Sequence, residues 1–234
     1  GIYSASYRLI SSLNFIPVAF IASIFPVTSR LFLSSKDSLV FTCERSSKYL
    51  LLLGVFIGIL IMGLSNEIIE LVFGKGYEKS SIVLRIIIWA EVLFFANLAF
   101  KNLLNSINKQ TIVALQGALC LFINVFANLI LVPKYSYIGA GISLLVTELT
   151  AFLFLLGWIM KSEYRFSHAG LVNTVKIMIV VLIVLMPLLY RYNVPTTTIL
   201  SIVLCIILIY LFRVVDDTDV KLIRSIFTSL RTGE

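Results

Sequence analysis

The sequence predicts an all-α fold: a polytopic membrane bundle of about seven transmembrane helices. Three observations predict it. Of the 234 residues, 59% are hydrophobic and only 13% are charged, against about 45–50% apolar and about 25% charged in a soluble domain. The mean hydropathy of +1.03 describes a chain with too little polar surface to coat a water-facing fold, and lipid is the solvent that removes that need. Finally, the apolar runs reach the roughly 20 residues that a helix needs to cross the hydrocarbon core. They are too long for strands and lack the two-residue alternation of a membrane barrel.

Seven segments follow in order along residues 1–215, which are expected to form one transmembrane unit. The first covers 2–32 and is expected to be broken by Pro17 and Pro26, which remove backbone donors. The second covers 49–73 and carries Gly54 and Gly58, a small-xxx-small pair suited to close helix packing. Glu67 and Glu70 lie near its far end. The third, 81–107, is the most polar. The fourth, 111–132, is stopped by Pro133, and the fifth, 138–160, opens on Gly139, Ala140 and Gly141. The sixth and seventh cover 172–190 and 196–212.

Residues 216–234 form a tail of different character. Val220, Ile223, Phe227 and Leu230 fall on one face at helical spacing, with Lys221 and Arg224 elsewhere. Two readings stand: an amphipathic helix on the inner leaflet, where its cations meet anionic lipid, or a short solvated tail. Asp217 is placed to cap such a helix, and Asp217-Thr218-Asp219 is read as carboxylates at its N-terminus rather than as a metal-binding acidic pair.

The net charge of +7 and the isoelectric point near 9.4 do not indicate a nucleic-acid surface. The cations sit in connectors between apolar runs, where they act as topology signals. One side holds Arg30, Lys36, Arg45, Lys48, Lys101, Lys109, Lys161, Arg165, Lys176, Arg213, Lys221, Arg224 and Arg231. The other holds Lys75, Lys79, Arg85, Lys134 and Arg191. The richer side is expected to be cytoplasmic, which places the C-terminus inside and Gly1 outside, consistent with an odd number of spans. The chain opens on Gly1 with no signal-peptide pattern, and it is expected to begin partway through a longer protein.

Ionisable and polar groups at membrane depth are costly and usually face a protein interior or a wet cavity. Arg8, Glu91, Lys101 and Glu148 stand out. Glu91, Asn102 and Asn105 fall within about 40° of one direction on the third segment, and Asn97 lies off this stripe. Asn124 and Asn128 share a face of the fourth segment. Tyr3, Tyr7 and Asn14 align on the first, with Arg8 on another side. Together Tyr3, Tyr7, Arg8, Asn14, Glu91, Asn102, Asn105, Asn124 and Asn128 are candidates to line a polar cavity suited to pyrophosphate and sugar hydroxyls. Arg8 would hold phosphate through charge-assisted hydrogen bonds. Plainer readings stand beside this one. Asn124 and Asn128 also suit hydrogen bonding to a neighbouring helix, Lys101 suits the cytoplasmic end of its helix, and Glu148 suits an ion pair with a neighbour.

Signs of enzymatic chemistry are nearly absent. His168 is the only histidine, no glycine-rich phosphate loop occurs, and Cys43, Cys120 and Cys205 are scattered without metal spacing. No metal, cofactor or catalytic residue is expected.

Several stretches carry a family resemblance. They are Gly1-Ile2-Tyr3-Ser4-Ala5-Ser6-Tyr7-Arg8-Leu9, then Ile16-Pro17, Phe25-Pro26-Val27 and Ser29-Arg30-Leu31. A second set is Asn128-Leu129-Ile130-Leu131-Val132-Pro133-Lys134-Tyr135 with Ile138-Gly139-Ala140-Gly141 and Thr147-Glu148. Asn105 with Lys109 and Gln110 adds a third point. These resemble the C-terminal half of Wzx-type polysaccharide-biosynthesis flippases, in the superfamily that also holds lipid II flippases and MATE multidrug exporters. The resemblance spans about residues 1–161.

The resemblance implies two helical lobes around a central cavity, alternating access, and a place for this chain as the second lobe beside an N-terminal lobe of the same protein. The implied cargo is a polyprenyl-linked oligosaccharide carried from the cytoplasmic to the outer leaflet of the cell membrane, as in O-antigen assembly. Glu91 and Glu148 are then candidates for ion coupling. The expected partners are this substrate, membrane lipid, the other lobe and glycan-assembly proteins, with no nucleic acid. Two rivals were weighed: a cation-coupled multidrug exporter, against which Arg8 argues, and a membrane polysaccharide polymerase or glycosyltransferase, against which the short outer connectors argue.

Overall fold

A computed structural model describes residues 1–189, 194–215 and 219; of 185–189 and 194–197 it describes the backbone. Helices account for nearly all of the described residues, and no strand occurs among them. The elements are α1 (Ile2–Leu13), α2 (Phe15–Ser34), α3 (Lys36–Gly63), α4 (Ser65–Phe73), α5 (Ser80–Ser106), α6 (Gln110–Lys161), α7 (His168–Leu189) and α8 (Val194–Leu211). By length and composition, α1 with α2, and α3, α5 and α6 each suffice to cross a membrane, and α7 and α8 are apolar too. The fold is a multi-pass membrane helix bundle.

The first expected span is two abutting helices. The junction is Asn14, not the two prolines. Pro17 acts one turn upstream, because it has no N–H to give the carbonyl of Leu13. Pro26 stays inside α2, where Thr28 Oγ1 donates to the carbonyl of Phe25 at 3.0 Å. The second expected span starts earlier than 49. α3 begins at Lys36, where Ser35 accepts from the backbone of Ser38 and Asp37 lies in the first turn. Arg45 and Lys48 therefore lie within a helix rather than in a connector. α4 then takes up the far end, and Gly74 at φ 79 ends it.

α5 is the axis of the bundle. It packs against α1, α2, α3, α4 and α6 and is buried over most of its surface, with a partly open stripe at Phe94, Leu98, Lys101 and Asn105. Against α3 the approach is close because of the paired glycines. A Cβ on Gly54 would lie 3.3 Å from Val92 Cα, and one on Gly58 would lie 3.1 Å from Val92 Cγ2. Trp89 covers the same seam and donates its indole N–H to Met62 Sδ at 3.2 Å. On the opposite side Ser6 of α1 donates to the carbonyl of Ser80 at 2.7 Å. Asn108 in the left-handed region (φ 59) ends α5, with Lys109 N–H reaching back to Leu104 O at 2.8 Å.

The fourth and fifth expected spans form the single long element α6, interrupted at Ser136 (φ 52, ψ −129). Its two arms, 110–135 and 137–161, fold back tightly. Gly139 comes so near the backbone of Leu131 that a Cβ there would sit 2.3 Å from the Leu131 carbonyl oxygen. α7 and α8 pair with each other and lie against α3. Arg213, at φ 48, closes α8 as Asn108 closes α5. The tail expected over 216–234 lies outside the described residues except for Asp219. Its carboxylate is buried against Arg45, Lys48 and Tyr49 of α3.

Candidate functional site

A small polar cavity of about 90 Å³ opens where α1, α5 and the second arm of α6 meet. Tyr7, Ser11 and Asn14 enter from the α1 side, Glu91 and Phe94 from α5, and Leu144 and Glu148 from α6. Helical geometry makes the set. Tyr7, Ser11 and Asn14 are four and three residues apart and so share one face. The Asn14 junction leaves that side chain at the level of Glu91. With its amide nitrogen turned to the carboxylate, Asn14 donates to Glu91, at 3.1 Å to Oε2. Tyr3 stacks on Tyr7 with ring centroids 5.8 Å apart.

Glu148 is held from the other side. Asn97, fully buried, donates Nδ2 to Glu148 Oε2 at 2.8 Å and to the Glu148 backbone carbonyl at 3.1 Å. The amide thus fixes both the helix and its side chain. Its own Oδ1 accepts no hydrogen bond among the described residues. Lys101 follows Asn97 by one helical turn and is half-buried. Two carboxylates share this cavity, Glu148 held by the buried Asn97 amide and Glu91 by the half-buried Asn14 amide, an arrangement suited to a positive charge.

The structure divides the sequence-based candidates into groups. Tyr7, Asn14 and Glu91 meet in one cavity with Glu148, and Tyr3 joins through its ring. Asn102 lies on the face of Glu91 but three turns along it. It donates to Thr28 Oγ1 of α2 at 3.3 Å, and Ser106 donates to the same hydroxyl at 2.8 Å. Asn105 is half-buried and outside the cavity. Asn124 joins the two arms of α6, donating to Thr147 Oγ1 at 3.0 Å, the helix-to-helix bonding of its plainer reading. Asn128 stays within the first arm, donating to Asn124 Oδ1 at 3.0 Å and so bracing that side chain. Arg8 is exposed on α1 and does not line the cavity. Asn97, off the predicted stripe, is the residue the sequence reading passed over.

Comparison with known proteins agrees with the resemblance read from the sequence. The chain is 24% identical over 122 residues to the capsular polysaccharide biosynthesis protein CapF of Staphylococcus aureus, covering 50% of this chain and 31% of that protein. It is 24% identical over 176 residues to a protein of Haloferax volcanii named as a probable low-salt glycan biosynthesis flippase, Agl15, covering 73% of this chain and 35% of that one. The chain thus spans about a third of the length of these relatives. Among solved structures, the lipid II flippase MurJ in an inward closed conformation superposes with a TM-score of 0.63 at 14% identity, over 90% of this chain and 46% of that one. The fold is therefore MurJ-like. No family model matches the sequence.

Proposed function

We propose that this chain is the second lobe of a flippase. The flippase would carry a polyprenyl-linked oligosaccharide from the cytoplasmic to the outer leaflet for surface glycan assembly. The observation that carries this reading is the cavity of Tyr7, Asn14, Glu91 and Glu148 inside a MurJ-like bundle. It is a charge-bearing site inside an apolar membrane bundle, where ionisable groups are costly and mark substrate or ion paths. The named relatives support the cargo class.

The work is transport and needs no covalent step. The glycan headgroup passes along a polar path while the lipid tail stays in the bilayer. Exposed Arg8 on α1, beside Ser4 and Ser12, is the group for the cargo's phosphate, on a face left open for the other lobe. Glu91 and Glu148 take the coupling role: an ion entering their cavity changes the charge at the contact of α1, α5 and α6, the helices that rearrangement must move. In this topology the C-terminus is cytoplasmic, as the distribution of cations favours.

The test is made in the organism carrying the full-length gene. Deletion is expected to leave lipid-linked oligosaccharide accumulated on the cytoplasmic leaflet, with surface glycan lost. Single repeat units appearing outside would instead identify a polymerase. An intact surface glycan with altered drug tolerance would identify an exporter.

A further inference from the structure

Residues 44–49 of α3 reach the start of α7 and the segment after α8, which lie at the same end of the α7–α8 pair. At α7, the Glu44 carboxylate accepts from the backbone N–H and from Oγ of Ser167, the residue before α7, at 3.0 Å for the hydroxyl. Ser167 Oγ in turn accepts from Gly170 N–H at 3.0 Å and caps the helix. Beyond α8, the Asp219 carboxylate accepts from Arg45, Lys48 and Tyr49, the last at 2.6 Å. Asp219 is 1% exposed and Lys48 5%. At the opposite end of α3, Gly63 lies against Thr198 near the start of α8. α8 therefore runs antiparallel along most of α3, and the charged cluster closes that seam at one end only.

Between these ends the seam is mainly apolar, with Thr174, Thr198 and Ser201 as its buried polar residues. Ile177, Val180 and Val184 of α7 and Cys205 and Leu208 of α8 are buried in the common core. In a bilayer such contacts supply little drive for association, because lipid tails are as apolar as the helix they would replace. Interhelical hydrogen bonds are what lipid tails cannot replace. α3 and α5 lock along their middle through the close approach at Gly54 and Gly58.

We infer that residues 44–49 of α3 form a polar latch, engaging Ser167 and Asp219, that holds the α7–α8 pair on the rest of the bundle. Release of Asp219 lets that end of the pair part from α3, pivoting on the Gly63–Thr198 contact at the far end, while the α3–α5 core stays closed. The inference does not depend on the cargo or on the acid pair.

The cysteines supply the reporter. Cys205 of α8 and Cys43 of α3 are both buried, at 4% and 1% exposure. The full-length protein in lipid nanodiscs is treated with a membrane-permeant maleimide, and labelling of each cysteine is followed by peptide mass spectrometry. Both are expected to be protected in the wild type and in Asp219→Glu. In Asp219→Asn, Cys205 is expected to label several-fold faster while Cys43 stays protected. The triple variant Arg45→Gln, Lys48→Met, Asp219→Asn is expected to label like Asp219→Asn. Protection of Cys205 in Asp219→Asn overturns the latch, as does equal labelling of Cys43, which would make the contact a support of the whole fold. Restored protection in the triple variant also overturns it, since orphaned cations rather than a lost fastening would then explain the single variant.

Discussion

Replacing Glu91 and Glu148 together by glutamine in the full-length transporter is expected to abolish surface-glycan export at normal expression, and each single replacement to lower it several-fold. Glutamine keeps the size and much of the hydrogen bonding of glutamate, so the bundle should still assemble; what disappears is the capacity of the cavity to hold and release a positive charge. The Asn14 and Asn97 amides sharpen the prediction. Asn97→Leu leaves Glu148 without the donor that fixes it, a loss of about 1–3 kcal/mol for a buried group deprived of its partner. It should therefore mimic Glu148→Gln in export while also lowering thermal stability. Asn102→Leu breaks a contact to Thr28 that lies outside the cavity, so its effect should fall on stability with export per folded molecule retained. Export assayed against the amount of folded protein in the membrane separates these cases. Unchanged export in both single glutamine variants would remove the carboxylates as couplers.

The uneven legibility of this site has a physical origin. The membrane bundle was readable because lipid imposes one rule on every residue of a span, and that rule is visible in composition and run length. Glu91 was readable for the same reason: a carboxylate in an apolar run is an exception wherever the run packs. Asn97 was not, because the search for a polar stripe assumes that a helix has one functional face. α5 meets α1, α2, α3, α4 and α6, and the stripe of Phe94, Leu98, Lys101 and Asn105 is partly open. Its polar residues accordingly serve different partners: Glu91 faces α1, Asn97 faces α6 and Asn102 faces α2. Periodicity within one helix cannot assign those partners. Asp219 shows the same limit. Local rules place it among the carboxylates that open a tail helix, and cannot show that it also pairs with residues about 170 positions earlier in the chain. The helix junction at Asn14 lies about one turn before Pro17, which is where the missing N–H takes its effect.

The fold-back of α6 gives the largest expected effect on stability. Alanine is the better helix former by about 1 kcal/mol, so propensity alone would make Gly139→Ala stabilising. Geometry reverses the sign. The new Cβ would sit 2.3 Å from the Leu131 carbonyl oxygen and 3.0 Å from Val132 N. Both are backbone atoms beside Pro133, so neither can swing aside as a flexible side chain would. Overpacking of this kind costs roughly 1–3 kcal/mol, and relief requires the two arms to spread, pulling Thr147 away from Asn124 and shifting Glu148 beside it. Gly139→Ala should thus lower the midpoint of heat-induced loss of the monodisperse protein, read by size exclusion after heating, and it should weaken export by disturbing the acid cavity. Gly117, whose Cβ would meet nothing within 4 Å, is the control, and Gly117→Ala should match or exceed wild type. The turn itself offers the opposite test. Ser136 holds φ 52 and ψ −129, a conformation that glycine adopts without the steric cost a side chain incurs. Ser136→Gly should raise the same midpoint, by an amount corresponding to about 1 kcal/mol. A Gly139→Ala protein that melts with wild type would show that the arms are not locked through this contact, and the placement of Glu148 would then have to rest on Asn97 alone.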